Sequence, residues 1–196
     1  MEKEARVNTF FGETVFYKHI GEDKKIIPHI EKFVKEKPGT TAATTDVVGN
    51  THAHNIDEAK DNLHTDKKYS SIFKEIATAI HEFIGAKGYN KDRFDIHITK
   101  SWATHTAKDQ HIASHKHTAS HFSFVYYVRN QLNFASYMYP VKTGDFLIFP
   151  SGLLHQTEIN TKDIARISIS GDVLMTMKPG IKTEHCIPHP DGWKTI

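Results

Sequence analysis

With Cys186 as its single cysteine, the chain has no means of forming an internal disulfide, which excludes a disulfide-stapled secreted scaffold. Long hydrophobic runs are also missing. No stretch approaches the roughly 20 apolar residues that a bilayer demands, and the opening MEKEARVNTF lacks the apolar core of a signal peptide. Neither sign of charge dominates: 25 lysines and arginines face 23 aspartates and glutamates, and the basic residues are scattered rather than gathered into a stripe. These absences argue against membrane and nucleic-acid partners, and the expectation is a soluble, cytoplasmic protein. There is no internal repeat, no low-complexity tract and no heptad, so the sequence is silent on oligomeric state. At 196 residues the length suits one domain with a real core.

Histidine is what the chain has in excess. It supplies 15 residues, five of them between His105 and His121. Neutral imidazole is the commonest metal ligand, so such a cluster points to metal chemistry. A purification tag is a short terminal tract, whereas these histidines are spread through patterned sequence.

Periodicity divides the chain into helices first and strands afterwards. Val7 to Ile20 mixes β-branched and aromatic residues and predicts one or two strands. Ile26, Ile27, Ile30, Phe33 and Val34 predict a helix near residues 23 to 36, stopped by Lys37-Pro38-Gly39. Thr40 to Asn55 reads as a loop. From Asp57 a second helix is expected, with Ile72, Phe73, Ile76, Ile80, Phe83 and Ile84 as its apolar stripe. Short β-like runs follow: Phe94 to His105, His121 to Asn130, Leu132 to Tyr139, Asp145 to Phe149 and Ile164 to Val173. The expected fold is therefore mainly β with N-terminal helices (α+β) bracing a β-sandwich or jelly-roll core. A single domain over 1–196 is expected, with supporting elements in 1–90, the core in 91–175 and a wrapping tail in 176–196.

Within this frame His115 and His117 stand one residue apart, so a strand would point both imidazoles the same way. His155 follows the turn Pro150-Ser151-Gly152 and offers a third ligand from a second strand. Taken singly, each is more often a packed or solvated histidine. Together they match a facial metal site with positions left for substrate and oxygen. Arg166 shares a strand face with Ser168 and Ser170, a row suited either to water or to holding a carboxylate. Tyr127 shares the mixed face of its strand with Ser123 and Val125, where it serves either packing or a carboxylate. His52 and His54, in the Thr/Asn-rich loop, have no third partner and read as solvated.

As a set these residues resemble the 2-oxoglutarate and Fe(II)-dependent oxygenases of the prolyl-hydroxylase-like branch. The matching pieces are Lys100-Ser101-Trp102, His115-Lys116-His117, Val125-Tyr126-Tyr127-Val128, Gly144-Asp145 through Phe149-Pro150 to His155, and Arg166-Ile167-Ser168. They cover roughly residues 94 to 173. The resemblance implies a double-stranded β-helix fold, Fe(II) on His115, His117 and His155, and the distal carboxylate of 2-oxoglutarate on Arg166 with Ser168 and Tyr127. It also places His105 toward the cosubstrate. The implied reaction oxidises 2-oxoglutarate to succinate and CO2 while hydroxylating a C–H bond of an unidentified protein, peptide or small-molecule substrate. One departure is plain: most of the family has a carboxylate where this chain has His117, and Asp109 or Asp145 are the candidates to replace it. A histidine fills the space that halide takes in halogenating relatives, which argues against halogenation.

Two other readings compete. Gly144 to His155 also resembles a cupin motif, with His115 and His117 in the first cupin motif and His121 near the place of its usual glutamate; such an enzyme would not need 2-oxoglutarate. A non-catalytic jelly roll holding zinc or no metal is the third.

Overall fold

The computed structural model describes residues 5–10, 12–36, 40–41, 50–51, 62–130, 140–182 and 187–194. Its strands are β1 (Ala5–Phe10), β2 (Glu13–His19), β3 (Thr40–Thr41), β4 (Asn50–Thr51), β5 (Phe94–Thr106), β6 (Phe122–Arg129), β7 (Asp145–Pro150) and β8 (Arg166–Met177). The helices are α1 (Ile27–Glu36) and α2 (Ser70–Ala86). All strand pairings are antiparallel, in the order β1-β2-β7-β6-β8-β5-β4-β3.

The sheet is apolar on one face because its strands alternate. Phe16 of β2, Phe124 of β6, Ile148 of β7 and Ile169 of β8 are buried on that face, and the stripe of α2 covers it. Phe83 of α2 is the wedge: its ring lies 4.9 Å from Phe122, edge-on at 89°, and 5.9 Å from Phe16. Each fully buried side chain of this size contributes about 1.5–3 kcal/mol. At the rim Lys18 Nζ donates to Glu82 Oε1 at 2.5 Å, pinning the exposed edge of α2 to β2.

The other face is polar and still buried. On β8, central in the sheet, Arg166, Ser168, Ser170 and Asp172 are each only 8% exposed. What covers them is a second, irregular ladder between residues 109–121 and 151–160. Its bonds run from Asp109 N to Asn160 O (2.8 Å), from Thr157 N to Ile112 O (3.0 Å), both ways between His115 and His155 (2.9 Å each) and from His117 N to Ser151 O (2.8 Å).

Several expectations shift in detail. α2 starts at Ser70 rather than Asp57; before it come two short 3-10 turns, Leu63–Thr65 and Lys67–Tyr69, the second capped by Asp66, whose side chain accepts from Lys68 N. That capping aspartate and the buried Asn62, which accepts from Ser101 N at 2.9 Å, divert the chain from a helix at this point. β8 runs past Val173 to Met177. The strand expected at Leu132 to Tyr139, the start of the second helix at residues 57–61 and the pair His52 and His54 lie outside the described residues. In the tail, Met177 N donates to Ile187 O at 2.9 Å, which turns the chain back onto the sheet. No helix among the described residues is long and apolar enough to cross a membrane.

Gly171 lies on the apolar face of β8, opposite Phe124. A Cβ there would stand 2.5 Å from Phe124 Cζ and 2.6 Å from the Lys100 carbonyl oxygen, a backbone atom that cannot step aside. Gly171→Ala is expected to lose about 1–3 kcal/mol of stability through overpacking, read by urea denaturation; a wild-type midpoint would contradict this packing.

Candidate metal centre

The second ladder brings the three sequence-selected histidines together. One ligand atom each from His115, His117 and His155 lies within 4.8 Å of the others, and among the described residues this is the only such cluster. Neither segment is a regular strand, yet both keep strand alternation: Ser114, Lys116 and Thr118 are exposed while His115 and His117 turn inward. The reciprocal backbone pair between His115 and His155 sets their rings 4.2 Å apart. His117 closes the triangle at 5.3 Å from each.

Each ring is oriented from behind. His115 Nδ1 lies 2.9 Å from Ala113 O, His155 Nδ1 2.8 Å from Leu153 O, and His117 Nδ1 2.6 Å from Asp172 Oδ1. Carbonyl and carboxylate oxygens only accept, so these contacts assign the proton to Nδ1 and leave the Nε2 lone pairs for a cation. Burial lowers the pKa of His155 to about 4, opposed mainly by the Leu153 carbonyl, and burial also lowers that of His115. Both rings are therefore neutral and ready as ligands at physiological pH. Phe149 packs 4.7 Å from His155, and Trp102 packs 5.5 Å from His117. The donor set fits a borderline divalent cation that accepts nitrogen ligands, such as Fe(II) or Zn(II).

Arg166 is held by the same ladder. Its Nη2 donates to Thr157 Oγ1 at 2.8 Å and to Glu158 O at 3.0 Å. Thr157 is two residues past His155 on the same ladder, so the guanidinium is tied to the segment that carries one of the three histidines. Burial lowers its pKa, opposed by Tyr127 and Glu158, but arginine stays charged. Ser168 and Tyr127 face each other across the β6/β8 pairing. Burial raises the pKa of Tyr127, so its phenol keeps its proton and is available as a donor.

Not every expected residue arrives here. His105 pairs with Ile167 in β5/β8 register, which sets it on the face opposite Thr104, Thr106, Ser168 and Arg166. The period-2 rule therefore turns it away from the face that carries Arg166 and Ser168. Asp109 adopts φ 63° in a turn and is exposed, and Asp145 is bound to His19 Nδ1 and Lys142 N, each at 2.8 Å. Neither joins the cluster, so no carboxylate among the described residues replaces the expected acid. His121 accepts from Met175 N at 3.0 Å and stands apart from the three ligands. The residue that sequence reading missed is Asp172. Its signal was the row Arg166, Ser168, Ser170, which extends by one more period-2 step to this aspartate.

No family model and no curated protein matches the chain. Among solved structures it is similar to an oxidoreductase of the 2OG-Fe(II) oxygenase family from Burkholderia pseudomallei, at 13% identity and TM-score 0.49 over 78% of this chain and 79% of that one. It is also similar to viral collagen prolyl hydroxylase from Paramecium Bursaria Chlorella virus-1 in its 2OG complex, at 11% identity and TM-score 0.47 over 88% and 96%. At that distance the chemistry must be argued from this chain's own side chains.

Metal-free protein is expected to bind one Co(II) per chain, followed by its visible absorption. His115→Ala, His117→Ala and His155→Ala should each abolish that binding, while His189→Ala in the tail should leave it intact. Binding that survives loss of any one of the three would refute this ligand set.

Proposed function

We propose that the protein is an Fe(II)- and 2-oxoglutarate-dependent dioxygenase that hydroxylates a C–H bond of an as yet unidentified protein, peptide or small-molecule substrate. The observation that carries this reading is a three-histidine cluster together with a buried arginine held by Thr157, two residues past one of the three histidines. Beyond the bonds to Thr157 and Glu158 O this guanidinium has further N–H donors to offer an anion, and a dicarboxylic acid would bridge it to a metal on the histidines. The sheet and the irregular ladder are read as the two walls of a jelly roll.

His115, His117 and His155 hold the metal and leave coordination positions open. Arg166 pairs with the distal carboxylate of the cosubstrate through N–H donors other than those that Thr157 and Glu158 engage. Ser168 and Tyr127 add hydroxyl donors to that carboxylate. Trp102 and Phe149 exclude water from the ring side of the ligands, which strengthens each of these polar contacts. When bound, Fe(II) and 2-oxoglutarate supply oxygen activation, with succinate and CO2 as co-products. A three-histidine centre of the cupin type, independent of 2-oxoglutarate, is the second reading; the all-imidazole ligand set favours it, and the buried Arg166 opposes it.

The two separate under argon. Fe(II) followed by 2-oxoglutarate is expected to raise a visible charge-transfer band that needs both additions. In Arg166→Ala the lost buried ion pair costs about 2 kcal/mol or more, so half-saturation should need about 30-fold more 2-oxoglutarate. Tight iron binding with no band in the wild type would leave the cupin reading in its place.

A further inference from the structure

Three imidazole ligands bring no negative charge to a divalent cation, and a carboxylate stands directly behind one of them. His115 and His155 donate to neutral carbonyls, whereas His117 donates to Asp172 at the shortest of the three distances, 2.6 Å. Asp172 is 8% exposed, and among the described residues its only ion-pair partner is His117. A carboxylate in such a place is costly to bury unless charge comes to meet it. Its second donor is a hydroxyl: Ser123 Oγ donates to Asp172 Oδ1 at 2.9 Å. That hydroxyl is itself placed, since Ser151 Oγ lies 2.9 Å from Ser123 Oγ and 2.8 Å from Ser120 Oγ. Ser151 accepts the backbone N–H of His117 through its own carbonyl, so the serine chain and the ligand share one anchor.

We propose that Asp172 is a positioning residue that supplies the centre's negative charge through His117, making that ligand a carboxylate-backed imidazole. The anionic oxygen draws the Nδ1 proton, which raises electron density at Nε2 and the strength of the metal bond. It also fixes the ring, since Oδ1 and the Ser123 hydroxyl both stand at its Nδ1 edge, the latter at 3.1 Å. The acid that the ligand shell lacks is thus kept one bond further out. This inference rests on the metal-binding half of the proposed function and is independent of 2-oxoglutarate.

Co(II) titration of metal-free protein without 2-oxoglutarate tests it. Asp172→Asn keeps an acceptor oxygen and removes the charge; we expect affinity to fall about 10-fold, and about 100-fold in Asp172→Ala, with displaced Co(II) visible bands in both. Affinity within twofold of wild type in Asp172→Asn, whatever its thermal midpoint, overturns the proposal. Should neither variant fold, proton NMR of the Zn(II)-loaded wild type decides. The His117 Nδ1 proton is expected well downfield of those of His115 and His155, and equal shifts overturn the proposal. Wild type that binds no Co(II) removes the metal centre itself and this proposal with it. A Co(II) site that responds to Asp172, in a protein showing no 2-oxoglutarate band with iron, sustains the inference and removes only the cosubstrate.

Discussion

Everything at the centre depends on one constraint: β8 is covered on both faces, yet one of those faces carries Arg166, Ser168, Ser170 and Asp172. Buried polar groups persist only with partners, and for Arg166 and Asp172 the ladder opposite supplies them, with Ser123 of β6 adding a second donor to Asp172. Thr157 takes Arg166, His117 takes Asp172, and Ser123 and Ser151 complete the hydroxyl chain. The contacts that satisfy these two charged groups also help fix where the histidines sit. Stability and site are therefore one network on this side of the sheet, whereas the helix side is ordinary apolar packing around Phe83 and Phe124.

That division explains how the site stays rigid without regular strands. The segments carrying His115 and His155 form an irregular ladder rather than paired strands, but each of the three clustered imidazoles is held at Nδ1 and the His115–His155 bridge is bonded in both directions. Ligands on loops are imprecise unless locked by such outer contacts. Behind them the sheet supplies the stiffness: β5 pairs with β8 over most of its length, and α2 braces the far face.

Much of this was legible in the sequence because period-2 and period-3.6 patterns report burial directly. The stripe from Ile72 to Ile84 placed α2's core, and the spacing of His115, His117, His155 and Arg166 selected the cluster and the arginine beside it. Two kinds of information were hidden. His105 sits on a strand where parity alone could not say which face is the wall until the pairing with Ile167 was known. Asp172 lay on the polar row but six residues past Arg166, and its meeting with His117 is a contact across 55 positions that no local pattern encodes. The helix start failed for a local reason, since Asn62 and Asp66 favour turns that the apolar stripe does not reveal.

Under the proposed function His115, His117 and His155 hold iron and Arg166 holds the anionic cosubstrate. Iron K-edge X-ray absorption, recorded under argon on protein loaded with one equivalent of Fe(II), before and after 2-oxoglutarate, addresses this arrangement most directly. The expected result is the scattering of three imidazoles in both states, with light-atom ligands exchanged for a chelating keto acid on addition. Fewer than three imidazoles, or a spectrum that ignores 2-oxoglutarate, would contradict the account.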